Sequence, residues 1–420
     1  MNNLIYNIHD TPRTFKELFL YALQQLLAVF VATVLIANIC GTPVSSCLFG
    51  ACCGTLLYQL ITRFSSPMFI SSSGATCSAV IGALAIGGYT AVAVGGIVIA
   101  LIYLLFGLLV KAKGVNAINK IFPPAIIGAV TIVIGANLAT FIPTYVSVEG
   151  EHSNIGIIVA LLTMLVIAIS SHYCKGFLKT IPFLIGLLFG YIVCILLTIF
   201  GYKMIDFSVF SRISILSLPD FTFLTWDIKS LNLSVVIQTI VLFAPVAICA
   251  MLEHISDHKV LSNIIGTDLT KTPGLDKTLI GDGTASLLGT ILCGLPNTSY
   301  GESIATTGFS RVASVRVITV AALLLGSLSF ITPVQAFINS IPSCVFGGCS
   351  MILYGFIIKS GLSTLHSVDI NDSKNTLIIC AVLTIGISGI WFLSNSFSGT
   401  ALSMVVGVLL NLILKEKEDK

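Results

Sequence analysis

The sequence predicts an all-α polytopic membrane protein: 14 transmembrane segments in two inverted seven-helix repeats. Composition, the placement of basic residues and a recurrence of interrupted apolar runs carry that prediction. Of 420 residues, 56% are hydrophobic and 9% charged, against about 25% charged in an ordinary soluble domain. A water-soluble domain is therefore excluded. A formal charge of +3, scattered along the chain, makes no nucleic-acid footprint. Each spanning helix needs about 20 apolar residues, so little chain is left for a soluble domain.

The apolar windows of the first half run Phe15 to Ile39, Thr42 to Thr62, Pro67 to Ala85, Thr90 to Val110, Pro123 to Phe141, Ile155 to Ser171 and Ile181 to Phe200. Those of the second half run Leu233 to Leu252, Leu279 to Leu295, Thr298 to Phe309, Val317 to Ile331, Pro342 to Ile358, Leu377 to Leu393 and Thr400 to Leu414. The first window contains an apolar run, Leu18 to Ala37, longer than a signal-peptide core, so a retained helix is expected. With the N-terminus in the cytoplasm, alternate connections place every Lys and Arg on that side except Lys203, Arg212 and Lys229. That is the enrichment cytoplasmic loops show, and the three exceptions share one long connection where the rule is weaker. Both termini are then cytoplasmic.

The third and tenth windows differ from lipid-facing helices. Pro67-Met-Phe-Ile-Ser-Ser-Ser-Gly-Ala-Thr76 and Pro296-Asn-Thr-Ser-Tyr-Gly-Glu-Ser-Ile-Ala305 are Pro-led and rich in Ser, Thr and Gly. Each is expected to start extended and become helical midway. Both fall third in a set of seven, and the fifth windows also match, Pro123 with Gly128 and Pro342 with Gly347. Seven is odd, so the second set enters the membrane from the opposite side. Paired interrupted helices in an inverted repeat point to a binding site at the midplane. The plainer alternative is two kinked packing helices.

Glu253, Asp257, Asp282 and Glu302 lie inside predicted spans or at their ends. A carboxylate facing lipid costs about 2.5–3.5 kcal/mol on insertion scales, so these acids mark a functional site by default. Glu253 and Asp257, at i and i+4, share a helix face. Asp282, within Gly281-Asp-Gly283, reads equally as a helix cap or packing partner. His254 and His258 invite a metal reading, but the acid precedes the first His, unlike HExxH, and no third ligand is evident. His258 followed by Lys259 reads as the cytoplasmic interface. The 12 Cys lie almost all in apolar runs without a CxxC pair and read as small buried hydrophobes. No nucleophile or complete metal set argues for an enzyme.

The sequence resembles the nucleobase/ascorbate transporter family, most closely its bacterial uracil:proton symporter branch, over almost the whole chain. The resemblance lies in Gln24-Gln-Leu-Leu-Ala28, Pro67 through Val80, Glu253-His-Ile, Pro296 through Glu302 with Arg311, and Gly347-Gly-Cys-Ser-Met-Ile-Leu-Tyr-Gly355. It implies a core domain (14–121 and 232–340) and a gate domain (122–231 and 341–415), with short strands of spans 3 and 10 meeting at the substrate. Glu253 and Glu302 match the acids that hold the base, Gly301 a backbone contact beside the second, and Tyr354 a gate-side position; Gln25 stands at a first-span motif position. The implied partners are a nucleobase, membrane lipid and a second copy through the gate domain. The implied location is the bacterial cytoplasmic membrane, with the proton as coupling ion and no other cofactor.

Chemistry supports this. Uracil offers two N–H donors and two carbonyls around a flat ring. Carboxylates take the donors, while backbone N–H groups near Ser72, Ser73 and Gly74 and near Tyr300, Gly301 and Ser303 serve the carbonyls, aided by two helix dipoles. Burial disfavours a charged carboxylate, so Glu253, with Asp257 and Glu302, can hold and release the proton as access changes. The sequence also departs from the family. Gly74 stands where uracil transporters typically place Phe, Gln25 and Asp257 where His is often found, and Ser303 and Ala305 where Asn and Gly are usual. The missing Phe enlarges the pocket and keeps xanthine or uric acid open as substrates. An anion exchanger or channel on the same scaffold would favour a basic residue at the site, whereas every basic residue is assigned to a connection or a helix end.

Overall fold

The computed structural model describes residues 4–114, 122–148, 151–152, 154–210, 214–390 and 399–414. Lys120, Arg212, Lys415, Lys417 and Lys420, the end of the thirteenth window and the expected domain limits at 121 and 415 lie outside the described residues. Helix α1 (Phe15–Cys40) is capped by the Thr14 side chain, which accepts from the Glu17 N–H, and closes on Gly41 at φ 66°. Helix α2 (Val44–Ile61) follows. The chain after Pro67 is extended and forms strand β1 (Ile70–Ser72), then a 3₁₀ turn (Gly74–Thr76) and helix α3 (Cys77–Lys113). Proline cannot donate to a helix and serine hydroxyls compete for backbone groups, which explains the delayed start.

The third and fourth windows lie on α3 with no loop between them. Their boundary is a break at Gly87 and Gly88, the latter at φ 61°, a conformation that glycine adopts without strain. Helices α4 (Pro124–Ala139), α5 (Asn154–Tyr173) and α6 (Pro182–Ile199) complete the first half. The second half contains α7 (Leu233–Ile265), α8 (Leu275–Cys293), strand β2 (Asn297–Ser299), α9 (Gly301–Ser310) and α10 (Val315–Leu328). After a short helix, Thr332–Asn339, come α11 (Ser343–Leu365), α12 (Ser373–Ile387) and α13 (Gly399–Ile413). Among the described residues, eight helices are long and apolar enough to cross a membrane. The chain is a mostly helical, multi-pass membrane protein.

The strands join the two halves. β1 and β2 pair antiparallel in the register Ile70 to Ser299, Ser71 to Thr298 and Ser72 to Asn297. Ser73 N–H donates to Pro296 O at 2.8 Å, and Tyr300 N–H to Phe69 O at 3.1 Å, extending the ladder at both ends. Pairing consumes backbone groups that hydrocarbon could not satisfy. Around this ribbon, helices approach through small residues. At the α3–α8 crossing, a Cβ on Gly96 would collide with Thr290 Oγ1; between α4 and α11, one on Gly128 would lie 2.8 Å from Gly361 O.

Candidate functional site

Each strand feeds a helix whose first N–H groups lack intrahelical partners, and the antiparallel pairing sends the two helices in opposite directions from one ribbon. A cavity of about 550 Å³ lies beside it. One wall is Ser73, Gly74 and Ala75 from the first half; another is Thr298 through Glu302 from the second. Helix α1 contributes Ala32 and Ile36, α7 contributes Glu253, Ser256, Asp257 and Val260, and α11 closes the space with Leu353, Phe356, Ile357, Lys359, Ser360 and Ser363.

The cavity places three acids together. Glu253 and Asp257 lie one turn apart on α7, which continues to Ile265 instead of ending near Leu252, so both are mid-helix. Glu253 is enclosed by protein on most sides yet solvent-accessible, because it faces the cavity. Glu302 occupies the first turn of α9, where the helix dipole favours an anion. It lines the same cavity as Glu253. Asp257 Oδ2 accepts from Ser299 Oγ at 2.7 Å, tying α7 to β2.

A second polar layer lies behind β2. Thr298 Oγ1 donates to Asp282 Oδ2 at 3.4 Å, and the same oxygen lies 2.9 Å from His254 Nδ1, an approach too bent to count as a hydrogen bond. His258 Nδ1 faces His254 O at 2.9 Å and so carries the ring proton, leaving Nε2, at 2.7 Å, to accept from Tyr58 OH. Asp282, His254 and His258 are fully buried. One expectation is corrected: Asp282 is not a cap, since α8 starts at Leu275. His258 is buried within the protein on the longer α7.

Of the anticipated contact residues, Ser73, Gly74, Tyr300, Gly301, Glu253, Asp257 and Glu302 line the cavity. Three do not. Ser72 is wholly buried in β1, as Ser71 is, and does not border the cavity. Gln25 is spent behind α9, donating to Thr307 Oγ1 at 3.0 Å and Ser303 O at 3.4 Å. Tyr354 is 1% exposed, and the neighbouring α11 positions Leu353, Phe356 and Ile357 face the space instead. The opening at Gly74 is bordered by aliphatic carbon: a Cβ there would meet Ile36 Cδ1 at 3.7 Å and Ile357 Cδ1 at 3.9 Å.

Ser299, Ser256, Phe356, Lys359, Ser360 and Ser363 were missed. The spacing 356, 360, 363 is one helical face and could have found that wall. Lys359 corrects the assignment of every basic residue to connections and ends, because α11 continues to Leu365. A smaller cavity of about 380 Å³ shares Glu253, Ser256, Asp257, Ser360 and Ser363 and reaches Lys259 and Ser367.

Residues 16–393 match the model of the Permease family. The uracil permease of Bacillus caldolyticus is 36% identical, covering 99% of this chain and 95% of its own. The uracil permease of Bacillus subtilis is 34% identical, over 98% and 96%. Among solved structures, the transmembrane domain of the cyanobacterium bicarbonate transporter BicA gives a TM-score of 0.67 at 16% identity, over 96% of this chain and 99% of that one. SLC26A9 gives 0.68 at 15%, over 94% and 66%. Likeness at that identity concerns the fold alone.

Proposed function

This chain belongs to the permease family, and from that premise we propose that it imports a nucleobase, uracil first, by proton symport with alternating access. The observation that carries the reading is the single cavity shared by Glu253 and Glu302 at the junction of a strand pair and two helix starts. In this reading the carboxylates accept the ring N–H groups, the N–H groups at Gly74 and Gly301 meet the carbonyls, and Glu253 takes and releases the coupling proton with Asp257 as helper. Spans 1 to 4 and 8 to 11, residues 14–121 and 232–340, form a core that moves against a gate of spans 5 to 7 and 12 to 14, residues 122–231 and 341–415. The 14 spans, the inverted repeat, cytoplasmic termini, a dimer through the gate and placement in the bacterial cytoplasmic membrane belong to the same proposal.

Uptake of labelled uracil into proteoliposomes under an inward proton gradient tests it: accumulation that collapses with the gradient is expected. Accumulation indifferent to the gradient would remove the coupling ion, and absence of uracil uptake would remove the substrate. A second reading, a purine permease for xanthine or uric acid, is favoured by the space at Gly74. Competition among uracil, thymine, xanthine, hypoxanthine, uric acid and ascorbate separates the two. Lys359 meets the requirement of an anion exchanger for a basic residue, but three carboxylates in the same walls oppose a bound anion.

A further inference from the structure

Helix α11 carries Lys359 in the run Phe356-Ile-Ile-Lys-Ser-Gly361, inside the helix and with its side chain exposed. It lines the larger cavity with Glu253, Asp257 and Glu302. Among the described residues no carboxylate lies within ion-pair distance of its Nζ. Among the described residues, the charged groups lining this space are the two acids of α7, the acid of α9 and Lys359 of α11; Lys259 faces one adjoining smaller cavity, and Lys179 shares another, of about 150 Å³, with Glu302. The acids and the cation sit on different elements across the gap. Lys359 has a flexible four-carbon stem, and Ser360 and Ser363, which line both cavities with Asp257, are small.

A symporter must return empty. While base and proton are bound, the acids are occupied; once both leave, anionic carboxylates remain in a space about to close, where unpaired charge is costly. Resting on the proposed proton-coupled reading, we propose that Lys359 is the counter-charge of the emptied site: its ammonium closes onto Asp257 and Glu253 after release and permits the unloaded carrier to reorient. Homoexchange, in which the carrier crosses loaded in both directions, does not need that step. Lys359 is therefore a positioning residue for the return stroke and makes no contact with the base.

The test reconstitutes full-length protein and measures net gradient-driven uptake and homoexchange of one labelled base, chosen as whichever of uracil, xanthine or uric acid the native protein exchanges. Lys359→Met should cut net uptake at least about tenfold while leaving exchange and base-induced thermal stabilisation within about twofold. Lys359→Arg should restore net uptake. Net uptake and exchange falling together, or both unchanged, overturns the proposal, as does failure of Arg to rescue. A native protein that exchanges xanthine but not uracil would change the base and leave the counter-charge standing. One that exchanges none of the three would end both.

Discussion

The two strand-to-helix arms share a scaffold and differ in chemistry. The first, Ser71 through Thr76, ends in Gly74 and Ala75, and its cavity neighbours on α1 are Ala32 and Ile36. The second, Thr298 through Ser303, ends in Gly301 and Glu302, and its neighbours on α7 are Glu253 and Asp257. Pairing Ser71 with Thr298 at the ribbon centre sets a helical start on each side, a 3₁₀ turn at Gly74 and an α-helix at Gly301. The site thus has one smooth wall and one acidic wall. The strand pair supplies opposed backbone donors, and the second arm alone has carboxylates beside it. A flat ring with donors and acceptors on its edge needs both.

Removing the acid that most separates the arms should have the largest effect. Glu302→Ala should lower uptake of the labelled base at least about a hundredfold, the scale of a lost charge-assisted hydrogen bond with its partner left unpaired, while membrane insertion is unchanged. Near-normal uptake would remove Glu302 from the acidic wall. Glu253→Gln keeps shape and removes charge, so transport should stop or lose its response to the proton gradient; an unaltered pH profile assigns the proton elsewhere.

Severing the link between α7 and β2 tests whether the acidic wall must be held in register. Ser299→Ala deletes the 2.7 Å donor to Asp257, and uptake should fall about tenfold, the worth of one hydrogen bond to a charged group, with folded yield retained. An equal loss in folded yield would make the bond structural only. The smooth wall should respond most gently. Gly74→Phe fills the opening bordered by Ile36 and Ile357 and should shift competition toward uracil and away from uric acid by a few fold; an unchanged ranking would show that the opening does not set base size.

The apolar windows could be read from the chain by composition, and the interrupted third and tenth windows and the acids at 253, 257 and 302 because each is a local departure from what hydrocarbon accepts. Proline and serine in an apolar run delay a helix, and a carboxylate there requires a partner, whatever the surroundings. Other features could not be read this way. Helix α7 outlasts its apolar run because protein, not lipid, surrounds His254, Asp257 and His258, so hydropathy alone stops it near Leu252. Lys359 directly follows the apolar run and so reads as a helix end, whereas α11 continues beyond it to Leu365. Tertiary packing alone turned Gln25 behind α9, buried Ser72 and Tyr354, and joined Ser299 to Asp257 across 42 positions. Orientation about a helix or strand axis depends on what packs against it, and a single chain does not state that.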